Sequence, residues 1–381
     1  MVKRPSKKTR PAKSSKPKPA SSSSATAAPS STTTTTQLDT KHQQHLLTIF
    51  SEAFATALAS ETFPALLQEI KQALFHRDFA AAFGREDYLE AYAARWAPTR
   101  ALGYAAVLKA LEGYLAEVVP GEDATLVQEA EEITGEVGDD GVRVEVGVAV
   151  PILRKQIKMI SIGGCASEQV AFASYLSQTS LSGQLTLVDS APWSHVTSLI
   201  QEHITTPPQL SRYTSAALKA SSRALVESSQ LSLSFIQQDV LQLEKEKLAE
   251  LLGTQPLVVT ILFTLNELYT NGGIGKTTKF LANLGQALPG RSLLLVLDSP
   301  GSYSEAAVGK EKKRYPMQWL LDHTLIGTDG SGYRWEKLES HDSIWFRLPE
   351  GLSYPMQLEN MRYQMHLYRI EKASPEMKDA E

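Results

Sequence analysis

From about residue 158 to residue 298 the sequence alternates strand-sized apolar runs with helix-patterned segments, a rhythm compatible with few architectures. The order is KMISIGG, a helix through EQVAFASYL, LTLVD, a helix from Trp193, LSLSFIQQD, the charged helix LEKEKLAELL, PLVVTILF, a helix from about Thr277 to Leu288, and SLLLVLD. Strands that are apolar almost throughout are covered on both faces. Five βα repeats of this kind predict a mostly parallel, doubly wound α/β sheet. Between Trp335 and Ile370, WEKLES, DSIWFRLP and MRYQMHLYRI predict two or three further strands closing one edge of the sheet in antiparallel fashion. Trp319, Trp335, Trp345 and Phe346 are expected in the core, and alternation is expected to expose only some of Arg362, Tyr363, His366 and Arg369.

Upstream of the repeats, LLTIFSEAFATAL, FPALLQEIKQALF and YAAVLKALEGYLAEVV place apolar residues at three- and four-residue spacing. Residues 41–150 are therefore expected to be a helical region, with Pro64 and Pro98 where helices begin or break and the acidic GEDATLVQEAEEITGEVGDDG as a surface loop. Residues 151–372 form the expected sheet domain and residues 373–381 a tail. Residues 1–40 are crowded with Pro, Ser, Thr and Lys, cannot build a core and are expected to be disordered. The net charge of −4 hides an asymmetry: residues 1–18 carry eight Lys or Arg and no acid, so subtracting that +8 leaves −12 on the rest. The tail reads as a nuclear or nucleolar address with weak RNA affinity, while the body is too acidic to bind nucleic acid except at local basic patches. One cysteine, Cys165, among 381 residues excludes an internal disulfide, and a reducing compartment is expected. No secretory signal is seen, no apolar run is membrane-length, and the eight histidines lack metal-ligand spacing, so neither membrane nor metal is expected.

In a doubly wound sheet, ligands bind beyond the carboxyl ends of the strands where strand order reverses. The first strand ends in Gly163-Gly164-Cys165-Ala166-Ser167-Glu168, small residues that let backbone approach a ligand and open a helix. The second ends in Asp189, able to accept both hydroxyls of an adenosine ribose. After the third come Gln238 and Asp239, placed to meet an adenine edge. The loop lacks the third glycine of a dinucleotide fingerprint, which weighs against a pyrophosphate and hence against a dehydrogenase. S-adenosylmethionine has none, so a methyltransferase is the preferred reading. Asn266 and Glu267, after the fourth strand, are candidates to hold a target base and accept its proton, or simply to cap the next helix. After the fifth, Asp298-Ser-Pro-Gly-Ser-Tyr-Ser304 is expected to be a loop in which Tyr303 stacks on a base, and Lys310, Lys312, Lys313 and Arg314 follow as a phosphate-binding cluster.

A competing motif is Asn271-Gly-Gly-Ile-Gly-Lys-Thr-Thr278, which resembles the deviant P-loop of partition-type ATPases, with Lys276 and Thr277 on phosphate and Mg²⁺ and Asp298 as the second acid. Thr270 replaces its first glycine, Asn271 its signature lysine, and several residues separate it from the strand. The alternative reading is a helix-capping turn.

Longer phrases carry more information than any glycine loop. FTLNELYT, LLLVLDSPGSYSEAAVG, KKRYPMQWLLDHTL, DSIWFRLP, LENMRYQMHLYR and YAARWAPTRALGYA, spanning Tyr92 to Arg369, resemble the fungal 25S rRNA (uridine-N3) methyltransferases. The resemblance implies a Rossmann-like class I methyltransferase fold, S-adenosylmethionine as cofactor, and N3 of a uridine in large-subunit rRNA or a pre-ribosomal particle as target. A non-catalytic rRNA-binding assembly factor is the remaining alternative.

Overall fold

The computed structural model describes residues 39–120, 154–209, 213–216, 222–301, 303–308, 311–327 and 332–372. The expectations for the basic tail, for the acidic loop beyond Pro120 and for residues 373–381 lie outside them.

Nine strands are described: β1 (Gln156–Ile162), β2 (Ser182–Asp189), β3 (Leu231–Gln237), β4 (Val258–Leu262), β5 (Leu293–Asp298), β6 (Tyr303–Val308), β7 (Glu311–Pro316), β8 (Tyr333–Phe346) and β9 (Met361–Lys372). Seven of them form one sheet in the order β3-β2-β1-β4-β5-β9-β8. β1 to β5 are parallel, while β9 runs antiparallel to β5 and β8 antiparallel to β9. The doubly wound sheet and its antiparallel edge are as expected, and that edge consists of two long strands, because DSIWFRLP continues β8 through two register shifts. β6 and β7 form a separate hairpin, so the segment read as a loop after Asp298 becomes a strand at Tyr303.

Period-two alternation sends each strand's apolar side chains to both faces. Leu293, Leu295 and Leu297 of β5 join the first core, and Leu294 and Val296 join the second. The first core lies under the N-terminal helices α1 (Thr40–Ala53), α2 (Ala55–Ala59), α3 (Phe63–Phe75), α4 (Phe79–Phe83), α5 (Glu86–Ala110) and α6 (Glu112–Glu117), together with α7 (Ala166–Ser177) and α8 (Ser194–Thr205). The second lies under the helices Lys245–Leu252, Gly273–Ala287 and Met317–Ile326. The helical N-terminal region thus supplies part of one covering layer.

Pro64 stands in the first turn of α3 as expected, where its missing N–H costs nothing. Pro98 does not mark a break: it lies inside the 25-residue α5, buried. Proline at that position leaves the carbonyl of Ala94 without its helical donor. The Tyr354 hydroxyl supplies one, donating to Ala94 O at 2.6 Å. Arg95 pairs with Glu359 at 2.5 Å, and Gln44 exchanges two bonds with the Ser353 backbone, so the connection between β8 and β9 is fastened to the helical layer at three places. Tyr354→Phe is expected to cost about 1–3 kcal/mol by leaving a buried carbonyl unpaired. A denaturant midpoint lowered at constant slope would register that loss, whereas an unchanged midpoint would mean that α5 satisfies Ala94 otherwise.

Two aromatic expectations are corrected. Trp335 is buried, but Trp319 is 50% and Trp345 51% exposed. Trp319 lies on the outer side of a helix whose inner residues Met317, Leu320 and Leu321 fill the second core, and Trp345 lies where β8 extends past the covering helices. On β9, Tyr363 and His366 are buried, Arg362 is exposed, and Arg369 pairs with Glu117 at 2.6 Å.

Candidate active site

Strand order reverses between β1 and β4, and there a cleft of about 390 Å³ opens beyond the carboxyl ends of β1, β2 and β4. This volume is in the range of small-molecule sites. Gly163, Cys165, Asp189, Gln238, Asp239 and Glu267 all line it, so most of the residues singled out in the sequence come together on its wall. Gly164 and Asn266 do not appear on the wall itself.

The floor is built by backbone. Gly163 turns out of β1 with φ +69°, and its N–H donates to Val188 O at 2.8 Å. Gln238 N–H donates to Asp189 O at 2.7 Å and Phe263 N–H to Leu297 O at 2.7 Å, carrying the strand pairing one residue past the sheet. Phe263 also has positive φ, 57°, a conformation that costs a bulky residue energy and recurs at ligand sites. Glu168, 4% exposed, accepts the Cys165 N–H at 2.9 Å in a capping-box arrangement that fixes the start of α7.

Asp189 accepts the Ala191 N–H at 2.7 Å and the Trp193 indole N–H. Phe83, Tyr92 and Trp193 cluster beside it, with ring centroids 5.1–5.9 Å apart. Asp239 accepts the Leu241 N–H at 2.9 Å and so caps a short turn, which leaves the neighbouring Gln238 as the freer polar group after β3. Beyond the end of β4, the Asn266 N–H donates at 3.0 Å to Asp298, the last residue of β5, which orients the short helix Leu265–Glu267. The Asn266 side-chain oxygen is buried without a partner among the described residues.

The electrostatics are unusual for so small a space. Burial pushes Glu168 up to about 7, Asp189 up to about 6 and Glu267 up to about 7, with Asp189 and Asp298 adding to the effect at Glu267. Facing these carboxylates is one cation that the sequence reading missed. Arg100 on α5 donates to the Tyr92 hydroxyl and lies 5.1 Å from the Phe263 ring centroid and 5.4 Å from that of Tyr92. It has no carboxylate within 4.0 Å among the described residues. Its signal was present: between Glu90 and Lys109 only Arg95 and Arg100 are charged, and α5 is otherwise buried nearly all round.

The family model described as "putative SAM-dependent methyltransferase" matches residues 50–369. The chain belongs to this family. It is 28% identical over 326 residues to the 25S rRNA (uridine(2843)-N(3))-methyltransferase of Saccharomyces cerevisiae, covering 79% of this chain and 76% of the relative. The resemblance stated from the sequence is thereby borne out. Similar solved structures include an O-methyltransferase family protein from Burkholderia thailandensis, at 11% identity, 57% and 52% coverage of the two chains and a TM-score of 0.31. A SAM-dependent methyltransferase from Methanosarcina mazei matches at 8% identity, 58% and 96% coverage and a TM-score of 0.32.

The cofactor of this methyltransferase is S-adenosylmethionine, and the donor set fits it. The ligand carries two cationic groups and one carboxylate, and the cleft offers several carboxylates and one unpaired arginine. Because the native carboxylates hold protons that the unfolded chain has already released, the stability they contribute is lost as pH rises from about 4.5 through about 7. A cationic ligand favours their ionised forms. Its affinity for the methyltransferase is therefore expected to rise between about pH 5.5 and 8, with protons released on binding near pH 6–7. Calorimetry in buffers of different ionisation enthalpy measures that release, and a pH-independent affinity without it would contradict the charge match.

The P-loop reading is not supported. GGIGKT opens the helix Gly273–Ala287 after a short π-helical segment, Leu268–Gly272, not directly after a strand. Thr277, which would have to reach Mg²⁺, is fully buried and donates to Leu268 O at 2.9 Å. Of the expected phosphate-binding residues, Lys310 lies outside the described residues. Tyr303, Lys312, Lys313 and Arg314 are on the β6–β7 hairpin, whose backbone pairs Ala307 with Lys312, Ala306 with Lys313 and Glu305 with Arg314.

Proposed function

We propose that this chain transfers a methyl group from S-adenosylmethionine to N3 of a uridine in large-subunit rRNA. The observation that carries the reading is the Glu267 carboxylate. It stands on the cleft wall at the end of β4 without a hydrogen-bond partner among the described residues, and it is held near neutrality by burial and by the acids around it. The activity named for the yeast relative supplies the substrate class.

When bound, S-adenosylmethionine supplies a sulfonium-activated methyl group. Asp189 is placed to take the ribose hydroxyls, with the aromatic cluster of Phe83, Tyr92 and Trp193 beside it, and Gln238 to meet the adenine edge. Arg100 is the group that can take the methionyl carboxylate. N3 of uracil bears an imide proton and sits on the pairing edge, so the nucleotide must be unpaired to react. Glu267, ionised, accepts that proton as N3 attacks, and Asn266 next to it retains an unpaired acceptor. Asp298, by accepting the Asn266 N–H, holds the short helix from which Asn266 and Glu267 act. Nuclear and nucleolar residence follows from an rRNA substrate and from the basic run in residues 1–18.

The test is methyl transfer by the full chain to large-subunit rRNA, followed by mass analysis of the nucleosides. Formation of 3-methyluridine is expected. Methylation at another position or on another base would replace this substrate assignment.

A further inference from the structure

Trp345 is half exposed near the end of β8, with the Arg347 guanidinium 5.3 Å and the Arg362 guanidinium 5.6 Å from its ring centroid. Arg362 stands opposite Trp345 in the β8–β9 register, and its Nε donates to Ser343 Oγ at 2.8 Å. Neither arginine has a carboxylate within 4.0 Å among the described residues. On a body that carries −12 outside its first 18 residues, two unpaired cations against one exposed indole stand apart.

The position of this group is set by the sheet. A side chain at Gly103 of α5 would meet Met361 and Phe346, so those two face the helical layer and their strand neighbours Arg362 and Trp345 face the other way. Farther along that second face, Tyr368 and Ile370 are covered by helices. β9 pairs Gln364 with Asp298, the last residue of β5, so Arg362 lies two residues, about 7 Å, past the carboxyl end of the parallel strands. The cleft opens at that same end of the sheet. The ties of Tyr354 and Glu359 to α5 fasten the connection that begins at Arg347 and ends before Arg362.

We propose that Trp345, Arg347 and Arg362 form a platform for a single-stranded segment of the substrate RNA flanking the target uridine. The exposed indole takes a base on its face, and the two guanidiniums take the adjoining phosphates. Charge complementarity selects this occupant, since a polyanion is drawn to a place where the acidic body presents unpaired arginines around an aromatic face. The assignment rests on the RNA-methyltransferase reading above and adds to it a binding subsite outside the cleft.

The test uses the full chain, Trp345→Ala, Trp345→Phe and the double change Arg347→Ala, Arg362→Ala. Affinity is measured for a labelled single-stranded oligouridine and for a duplex of the same length at several salt concentrations, alongside kcat and KM for rRNA and affinity for S-adenosylmethionine. Trp345→Ala is expected to weaken the oligouridine complex and raise KM about 10-fold or more, with kcat and cofactor affinity unchanged, while Trp345→Phe retains most binding. The arginine pair is expected to flatten the salt slope by about 1.4, two contacts at about 0.7 each. If rRNA is methylated normally and neither affinity nor KM moves in any variant, the platform is wrong and the function stands. An equal loss of duplex and single-strand binding in Trp345→Ala would also overturn it. If no RNA is methylated but oligouridine binding still depends on Trp345, the platform stands and the function fails.

Discussion

Glu267→Gln is expected to slow methyl transfer by about 10²–10⁴-fold, the usual contribution of a positioned general base. The amide keeps the size of the side chain and loses its charge and basicity, so affinity for S-adenosylmethionine should keep the part of its rise with pH that Glu168 and Asp189 supply. In the unaltered protein, kcat/KM for S-adenosylmethionine should climb as Glu267 ionises and level off above the pH at which that group titrates in the free protein, about 7, while the rising limb of kcat lies lower because the cationic ligand favours the ionised form. The sign follows from the role: the carboxylate must have lost its proton before it can accept one from N3. The variant should lose that ascending limb along with the rate. A Glu267→Gln protein with unchanged kcat and an unchanged pH profile would show that the imide proton leaves by another route, with Asn266 and solvent as the groups next to it.

The parts legible in the sequence are those that repeat. Ile160, Ile162, Val188, Val259, Ile261, Leu294 and Val296 read as buried strand residues because each run is apolar on both faces, and the second core contains all of them. Asp189 and the glycine turn were legible because a ligand must lie beyond strand ends, whatever the loop's composition. What escaped depends on partners distant in sequence. Pro98 interrupts α5 on paper, and the donor it withholds from Ala94 O comes from the Tyr354 hydroxyl, far along the chain. Arg100 looks like any helix charge until α5 is packed over the cleft. Trp345 looks like core because its pattern does not say where the covering helices stop. Glu267 was singled out by position, but the upward shift of its pKa comes from burial and from Asp189 and Asp298, which the fold brings to it from two other strands.

Gly163→Ala should be the most damaging single methyl group that can be added near the site. At φ +69° a side chain carries a backbone penalty of about 1–2 kcal/mol. The new Cβ would also stand 2.2 Å from Thr264 Oγ1, 2.4 Å from its Cγ2 and 2.8 Å from its Cβ, and such overpacking costs about 1–3 kcal/mol. Together these are expected to destabilise the protein by about 2–5 kcal/mol. Because Gly163 joins β1 to the start of α7, the same displacement shifts Cys165 and Glu168 on the wall of the cleft, and cofactor affinity should fall about 10-fold or more. Two comparisons separate the causes. Gly273 has φ +80°, and a Cβ added there would meet nothing within 4 Å, so Gly273→Ala carries the backbone penalty alone and should leave cofactor affinity intact. Thr264→Ala removes the two closest atoms, so combining it with Gly163→Ala should recover on the order of 1 kcal/mol and part of the affinity. If the double variant is no better than the single, the contact with Thr264 is not what Gly163 avoids, and the loss belongs to the left-handed turn itself.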